Sequence, residues 1–144
     1  MNELHGFYLE DLAPGMTAST AKTITDNDIT LFTTVSGDDN PVHCNSEYAA
    51  TTQFKGRIAQ GLLTTSVMSS VLSNKLPGHG SILLEVSVRF KAPVYPGDTV
   101  KTTVTVREVM TEKRRVIFDT ASFVENTKVL EGQATLLVDS KLPS

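Results

Sequence analysis

Residues 62–74 read LLTTSVMSSVLSN, and this run decides the fold class. Its large apolar side chains recur at helical spacing, which predicts one helix from Leu62 to about Asn74, ended by a Leu-Pro-Gly break. The remaining face of this helix carries small hydroxyl residues and no charge. Because a helix on the surface normally has a charged face, the run predicts a buried helix with other elements packed closely around it.

Beyond this helix the spacing of apolar residues changes to strict alternation. Every second position from Ile82 to Phe90 is apolar, which is the period of a β-strand. Short turns then separate three more runs of strand composition, so neighbouring strands should be antiparallel; these runs are 99–109, 114–125 and 128–139. Residues 16–24 have the composition of a further edge strand. Helices followed by strands indicate an α+β fold, with one antiparallel sheet wrapped around one long central helix.

The composition is that of one globular domain. Hydrophobic residues make up 40% and charged residues 20% of the 144 positions, and no linker or repeat divides them, so 1–144 is predicted to be a single domain. A net charge of −3 argues against a nucleic-acid partner. The single cysteine, Cys44, cannot form an intrachain disulfide. The chain shows neither a signal peptide nor an apolar run long enough to span a membrane, so we expect a cytoplasmic protein without membrane association.

A second helix is predicted upstream of the central one. Thr25 and Asp28 form an approximate capping box at its start, and Gly37 is a natural stop at its end. The segment SGDDNPVH (36–43) therefore begins where this helix ends.

This segment carries the candidate chemistry. Asn40 precedes Pro41, which makes a stiff turn that can hold Asp38 and His43 over the same small volume. Together these two side chains could hold one water, with the aspartate accepting its proton and the histidine orienting it or shuttling protons. The alternative is an Asx turn with an ordinary surface histidine. The spacing by itself leaves both interpretations open.

Four segments in order resemble the MaoC-like (R)-specific enoyl-CoA hydratases and dehydratases: SGDDNPVH, FKGRIAQGLLTTSVMSSVL, LPGHGS and VRFKAPVYPGD. The family pattern is Asp-x-Asn-Pro-x-His, a glycine opening a long central helix, Leu-Pro-Gly-x-Gly, and Phe-x-x-Pro-Val-x-x-Gly-Asp. The resemblance implies the hotdog fold, an antiparallel sheet around a central helix. It also implies a homodimer whose sheets join edge to edge, and a reaction that uses neither a metal nor another cofactor.

The same resemblance implies roles for individual residues. Asp38 takes the position of the catalytic aspartate and His43 that of the catalytic histidine. Asn40 fills the supporting amide position. Gly61 falls where the family uses a backbone N–H to hold the thioester carbonyl oxygen, and Ser69 falls at the position of a helix serine near the site.

One departure from the family pattern concerns the residue before Gly61. Many members have His-Gly where this chain has Gln60-Gly61. Since the donor invoked is a backbone N–H, catalysis should survive this change. The change bears instead on two other properties. These are the side chains that support the N–H donor and the preference for particular acyl chains. Asp39 occupies a variable position of the motif and is not expected to be the base.

The leading functional hypothesis is reversible hydration of trans-2-enoyl thioesters to (R)-3-hydroxyacyl thioesters, a hydro-lyase reaction. The acyl carrier is either coenzyme A or acyl carrier protein, the latter as in the dehydratases of fatty-acid synthesis. A hotdog thioesterase and a non-catalytic acyl-CoA sensor are the competing classes. A nucleophilic Cys44 and a zinc site built from His5, His43 and His79 are both disfavoured by the spacing of these residues.

Overall fold

A computed structural model describes residues 3–143 and confirms the α+β architecture. Five strands form one sheet in the order β1-β3-β4-β5-β2, and every neighbouring pair is antiparallel. The strands are β1 (Thr17–Thr23), β2 (Ile82–Phe90), β3 (Thr99–Met110), β4 (Arg115–Val124) and β5 (Thr127–Leu137). The helices are α1 (Asp26–Ser36), α2 (Pro41–Cys44), α3 (Ser46–Ala50) and α4 (Gly61–Asn74), with single 3₁₀ turns at Leu9–Asp11 and Thr111–Lys113. No helix within residues 3–143 is long and apolar enough to cross a bilayer.

Helix α4 is the buried central helix that the sequence predicts. Met68 and Val71 are 1% and 0% exposed, and both pack against the inner face of the sheet. The hydroxyl side chains of Ser66 and Ser70 turn back onto carbonyl oxygens of the preceding turn, which satisfies them without charge. The packing of α4 against the sheet therefore fixes the position of Gly61, the first residue of the helix.

Helix α1 begins and ends at the residues that the sequence predicts. The Asp28 N–H donates to the Thr25 hydroxyl at 3.1 Å, and the Asp28 carboxylate accepts from the Thr25 N–H at 2.9 Å, so the capping box is complete. A hydrogen bond from Lys22, followed by the one from Thr25, lowers the pKa of Asp28. Gly37 ends the helix at φ 79°, in the left-handed region that favours glycine.

The two edges of the sheet differ in character. Strand β1 is short and built from threonine, alanine, serine and lysine. Strand β2, at the other edge, exposes large apolar side chains; these are Ile82, Leu83, Leu84, Val86 and Phe90. An unpaired edge with exposed apolar residues favours pairing with another chain.

Strand β2 lies unusually close to β5 at Gly132, which pairs with Val88. A Cβ atom on Gly132 would overlap the carbonyl oxygen of Ser87 and would lie 2.8 Å from the Val88 Cα. Only glycine fits at this point of the sheet. The register in which β2 runs towards Phe90 therefore requires glycine at position 132.

The N-terminal segment lies across the turn that follows α4. The N–H groups of Gly6 and Phe7 donate to the carbonyl oxygens of His79 and Pro77 at 2.9 and 2.8 Å. These bonds hold the first residues of the described chain against the Leu-Pro-Gly-His-Gly turn.

His5 anchors this N-terminal segment. Its ring stacks on Tyr8 with centroids 3.9 Å apart, and its two nitrogens lie 3.0 Å from the Gly6 carbonyl oxygen and from the Asp139 carboxylate. Because both partners are acceptors, the doubly protonated ring satisfies both. The bond to Gly6, opposed by desolvation and supported by Asp139, raises the pKa of His5.

Candidate active site

The segment between α1 and α2 is held by side chains that bond to its own backbone. Asp38 Oδ1 accepts from the Asn40 N–H at 3.3 Å, and Asn40 Oδ1 accepts from the Val42 N–H at 3.2 Å. Asn40 is thus the N-cap of α2, and Pro41 takes the first helical position, where proline has no N–H to lose. The predicted stiff turn is in fact an Asx turn leading into a one-turn helix. The same local bonds present Asp38 and His43 on one side.

His43 is oriented by the loop that precedes α4. Its Nδ1 lies 2.8 Å from the carbonyl oxygen of Ile58, so Nδ1 carries the proton and donates it. This tautomer leaves Nε2 as the acceptor nitrogen, and Nε2 has no hydrogen-bond partner within residues 3–143. Arg57 Nε donates to the His43 carbonyl oxygen at 2.6 Å and its guanidinium pairs with Asp26 at 2.9 Å. His43 is thus fixed both through its ring and through its backbone carbonyl group.

Gly61 is the first residue of α4, and its N–H is left open. Gln60 is the N-cap, but its side chain does not cap the helix. In the part of the chain that the structure describes, no group accepts a hydrogen bond from the N–H of Gly61 or of Leu62. Free N–H groups and the positive end of the helix dipole favour negative charge at this point.

Asp38, His43 and Gly61 all line one pocket of about 470 Å³. Apolar side chains form most of its other walls, and Lys91 adds a positive charge; the apolar residues include Phe54, Ile58, Ala92, Pro93, Val94 and Val129. An acid, a histidine acceptor and the residue with a free N–H donor thus line one largely apolar space.

Phe90 closes this pocket over the start of α4. A Cβ atom on Gly61 would lie 2.8 Å from two ring atoms of Phe90, so the ring rests directly against the glycine. Phe90 is 54% exposed and ends the edge strand β2. The missing side chain at position 61 therefore lets this aromatic ring rest against the start of α4.

Two predicted residues are placed differently from the rest. Ser69 lies eight residues beyond Gly61, about 12 Å along the helix axis, and is not among the residues that line the pocket of the single chain. Asn40 supports the site through its capping bond rather than by reaching the pocket.

Asp39 and Cys44 are exposed and lie outside the pocket lining. No group of three or more His, Cys, Asp or Glu within residues 3–143 is arranged to hold a metal ion.

Three contributors to the site were missed by sequence reasoning: Arg57, Ile58 and Phe90. Arg57 and Ile58 act on His43 through backbone atoms, and a backbone carbonyl has no signature in the sequence. The stretch RIAQG therefore looked like an ordinary loop. Its one visible signal was a charged residue, Arg57, placed shortly before the glycine that opens the central helix.

A five-stranded antiparallel sheet around one central helix, with an acid–histidine pocket at the start of that helix, defines a hotdog-fold protein. The MaoC like domain family matches residues 11–129. The chain belongs to this family.

Individual relatives agree over nearly the whole chain. An (R)-specific enoyl-CoA hydratase of Rhodospirillum rubrum is 48% identical over 93% of this chain and 93% of its own length. A 3-hydroxybutyryl-CoA dehydratase of Methylorubrum extorquens is 39% identical over 96% of this chain and 88% of its own. An R-hydratase of Pseudomonas aeruginosa, solved in its unliganded form, superposes with a TM-score of 0.89 at 36% identity, covering 98% of this chain and 96% of that one.

Proposed function

We propose that this chain is a hydro-lyase that reversibly adds water to trans-2-enoyl thioesters and forms (R)-3-hydroxyacyl thioesters. The observation that carries the proposal is the shared pocket of Asp38, His43 and the Gly61 N–H. The names of the hydratase and the dehydratase above support the substrate class, and the name of the hydratase also supports the (R) configuration.

The reaction needs a nucleophilic oxygen at C3 and a proton at C2. A water bound between the Asp38 carboxylate and Nε2 of His43 supplies both, because the proton lost as its oxygen attacks C3 balances the proton that C2 gains. Asp38 is the base that takes one proton from the water as the C3–O bond forms, and the protonated Asp38 carboxyl then gives a proton to C2, which restores the carboxylate. His43 accepts a hydrogen bond from the same water at Nε2 and so orients it. The addition changes no net oxidation state and therefore needs no redox cofactor.

The carbonyl oxygen gains negative charge as the enolate forms. The Gly61 N–H at the start of α4 is placed to donate to this oxygen, and the helix dipole adds to the stabilisation. Asn40 has a supporting role because it caps α2. Ser69 stays a predicted supporting residue further along α4.

The carrier of the acyl group is coenzyme A by this proposal, with acyl carrier protein as the alternative. Since both thioesters are metabolites inside the cell, the proposal places the chain in the cytoplasm, with 1–144 acting as one MaoC-like hotdog domain.

The proposed partner is a second copy of the chain. The exposed apolar edge of β2 supports such a homodimer, with the two sheets joined edge to edge.

Loss of the conjugated absorbance of crotonyl-CoA, followed in parallel with a free-thiol assay, tests the proposal. We expect the band to decay with no thiol release, and chiral analysis should find (R)-3-hydroxybutyryl-CoA. Thiol release would indicate a thioesterase, and binding without turnover would indicate a sensor. An (S) product would contradict the proposed face of attack. Comparing crotonyl-CoA with crotonyl-acyl carrier protein identifies the carrier.

A further inference from the structure

Gln60 is the most buried polar residue beside the pocket. Its side chain is 2% exposed, and its Nε2 donates to the Ile29 carbonyl oxygen at 3.2 Å and to the Thr33 hydroxyl at 3.0 Å. Both acceptors belong to α1. One amide group therefore joins the start of the central helix to the middle of α1.

These bonds connect the segments that carry the proposed chemistry. Gln60 is covalently joined to Gly61, and α1 leads through Gly37 directly into Asp38. The Thr33 hydroxyl also lies 3.4 Å from Sγ of Cys44, the residue after His43.

The direction of the Gln60 side chain is unusual for an N-cap residue. N-cap side chains normally accept from the second or third N–H of their own helix, but Gln60 turns away towards α1. The Leu62 N–H is thereby left uncapped beside the open N–H of Gly61. Gln60 Oε1 is buried and has no hydrogen-bond partner within residues 3–143. An unpaired buried amide oxygen destabilises the fold, so an apolar side chain of the same length would serve simple packing better.

We infer that Gln60 is a positioning residue for hydration: its amide holds α1 against the start of α4 and so fixes the Gly61 N–H relative to Asp38. This inference rests on the proposed function. It assigns a role to the position at which this chain departs from the usual histidine of the resembling family.

The first test replaces Gln60 by methionine, which keeps the length and removes the amide. Because a small misplacement of a catalytic group is costly, we expect kcat for crotonyl-CoA to fall about 10- to 100-fold, with little change in KM. Gln60→His should recover most of this loss, since a ring N–H can donate to the same acceptors. Equal activity of wild type and a folded Gln60→Met variant would overturn the inference while leaving the hydratase proposal intact. A wild type without hydratase activity would overturn both.

A spectroscopic measurement separates positioning from mere stability. In an Asp38→Asn background, crotonyl-CoA labelled with ¹³C at the carbonyl is bound and its carbonyl stretch is recorded by infrared difference spectroscopy. With Gln60 present the band should lie below that of free substrate. Gln60→Met should return it towards the free value. If the band stays unchanged while kcat falls, Gln60 does not position the donor.

Thr33→Val provides an independent variant if Gln60→Met does not fold. It removes the hydroxyl acceptor from the same network, so we expect a smaller drop in kcat and a smaller shift of the carbonyl band. Thr34→Val is the matched control, because among residues 3–143 the Thr34 hydroxyl bonds only to the carbonyl oxygen of Thr30, inside α1. Equal kcat values for the Thr33→Val and Thr34→Val variants would contradict the inference.

Discussion

The two carboxylate oxygens of Asp38 lie in different surroundings. Oδ1 accepts the Asn40 N–H and so fixes the rotamer, whereas no residue in the described range 3–143 bonds to Oδ2. His43 shows the same division, with Nδ1 bound to Ile58 and Nε2 open. Each residue thus uses one polar atom for orientation and leaves the other open within the described residues.

Asp38→Asn should keep the turn, because an amide oxygen can accept the same N–H of Asn40. The proposed base is lost, so we expect kcat to fall by about 10²- to 10⁴-fold, with the melting temperature nearly unchanged. Asp39→Asn is the matched control, since the neighbouring carboxylate is exposed and outside the pocket. A larger loss in the Asp39 variant would show that the motif had been aligned one residue out.

Gly61→Pro removes the proposed donor without disturbing the helix. Proline is favoured at the first helical position, and Gln60 already has ψ 137°, the conformation preferred before proline. We expect kcat to fall about 10²- to 10³-fold, as for loss of one oxyanion donor.

Alanine at position 61 is an incomplete control for this variant, because its Cβ would meet the Phe90 ring. The comparison should therefore be made with Phe90→Leu present in both the alanine and the proline variants. Equal turnover of these two double variants would show that the Gly61 N–H is not the donor.

At the scale of elements, the sequence correctly predicted the features that depend on local residue patterns. The cap of α1 at Thr25, its end at Gly37 and the buried face of α4 were all correct, because each depends on residues close together in the chain. Helix α2 was missed, since four residues are too few to show a helical period. The contacts of Arg57 and Gln60 were missed because each joins elements through a backbone carbonyl, whose partner the sequence does not encode.

The docked N-terminal segment gives an element-scale prediction about pH. The pKa of His5 is raised above its usual 6.5, so the folded state binds this proton more tightly than the unfolded chain. Protonated His5 therefore stabilises the fold fully at pH values below the pKa of the unfolded chain. This stabilisation is lost as the pH rises through the pKa of His5 in the folded state.

The measurement is the melting temperature of wild type and of His5→Gln at about pH 5.5 and pH 8.5. Wild type should exceed the variant by more at the lower pH. Asp139→Asn, which keeps an acceptor and removes the charge, should lie between the two. Parallel pH profiles for wild type and His5→Gln would count against a charged His5.

At the scale of the whole molecule, the sheet has one protected edge and one exposed apolar edge. Strand β1 carries Lys22 and small polar residues, features that discourage pairing. Strand β2 exposes Leu84 and Val86 at 46% and 39%, and it ends at Phe90 beside the pocket. A second copy paired along β2 would therefore cover apolar surface and lie next to the site.

Val86→Lys should abolish this pairing, because the added charge would be buried between two strands. Sedimentation at micromolar concentration should give twice 15.6 kDa for wild type and 15.6 kDa for the variant. Ala21→Lys on the opposite edge strand is the control and should stay dimeric. A wild-type mass of 15.6 kDa, or a monomer only in the Ala21 variant, would contradict pairing through β2.

Gly132 is not among the residues that line the pocket, yet the close approach of β2 that it permits affects one wall of the pocket. Only its lack of a side chain lets β2 lie in the register that ends with Phe90 against Gly61. In a mutational scan selected for activity, position 132 should accept no residue except glycine, while the exposed Gln133 beside it tolerates many. An experimenter reading only such a fitness map would place Gly132 among the residues that touch the substrate.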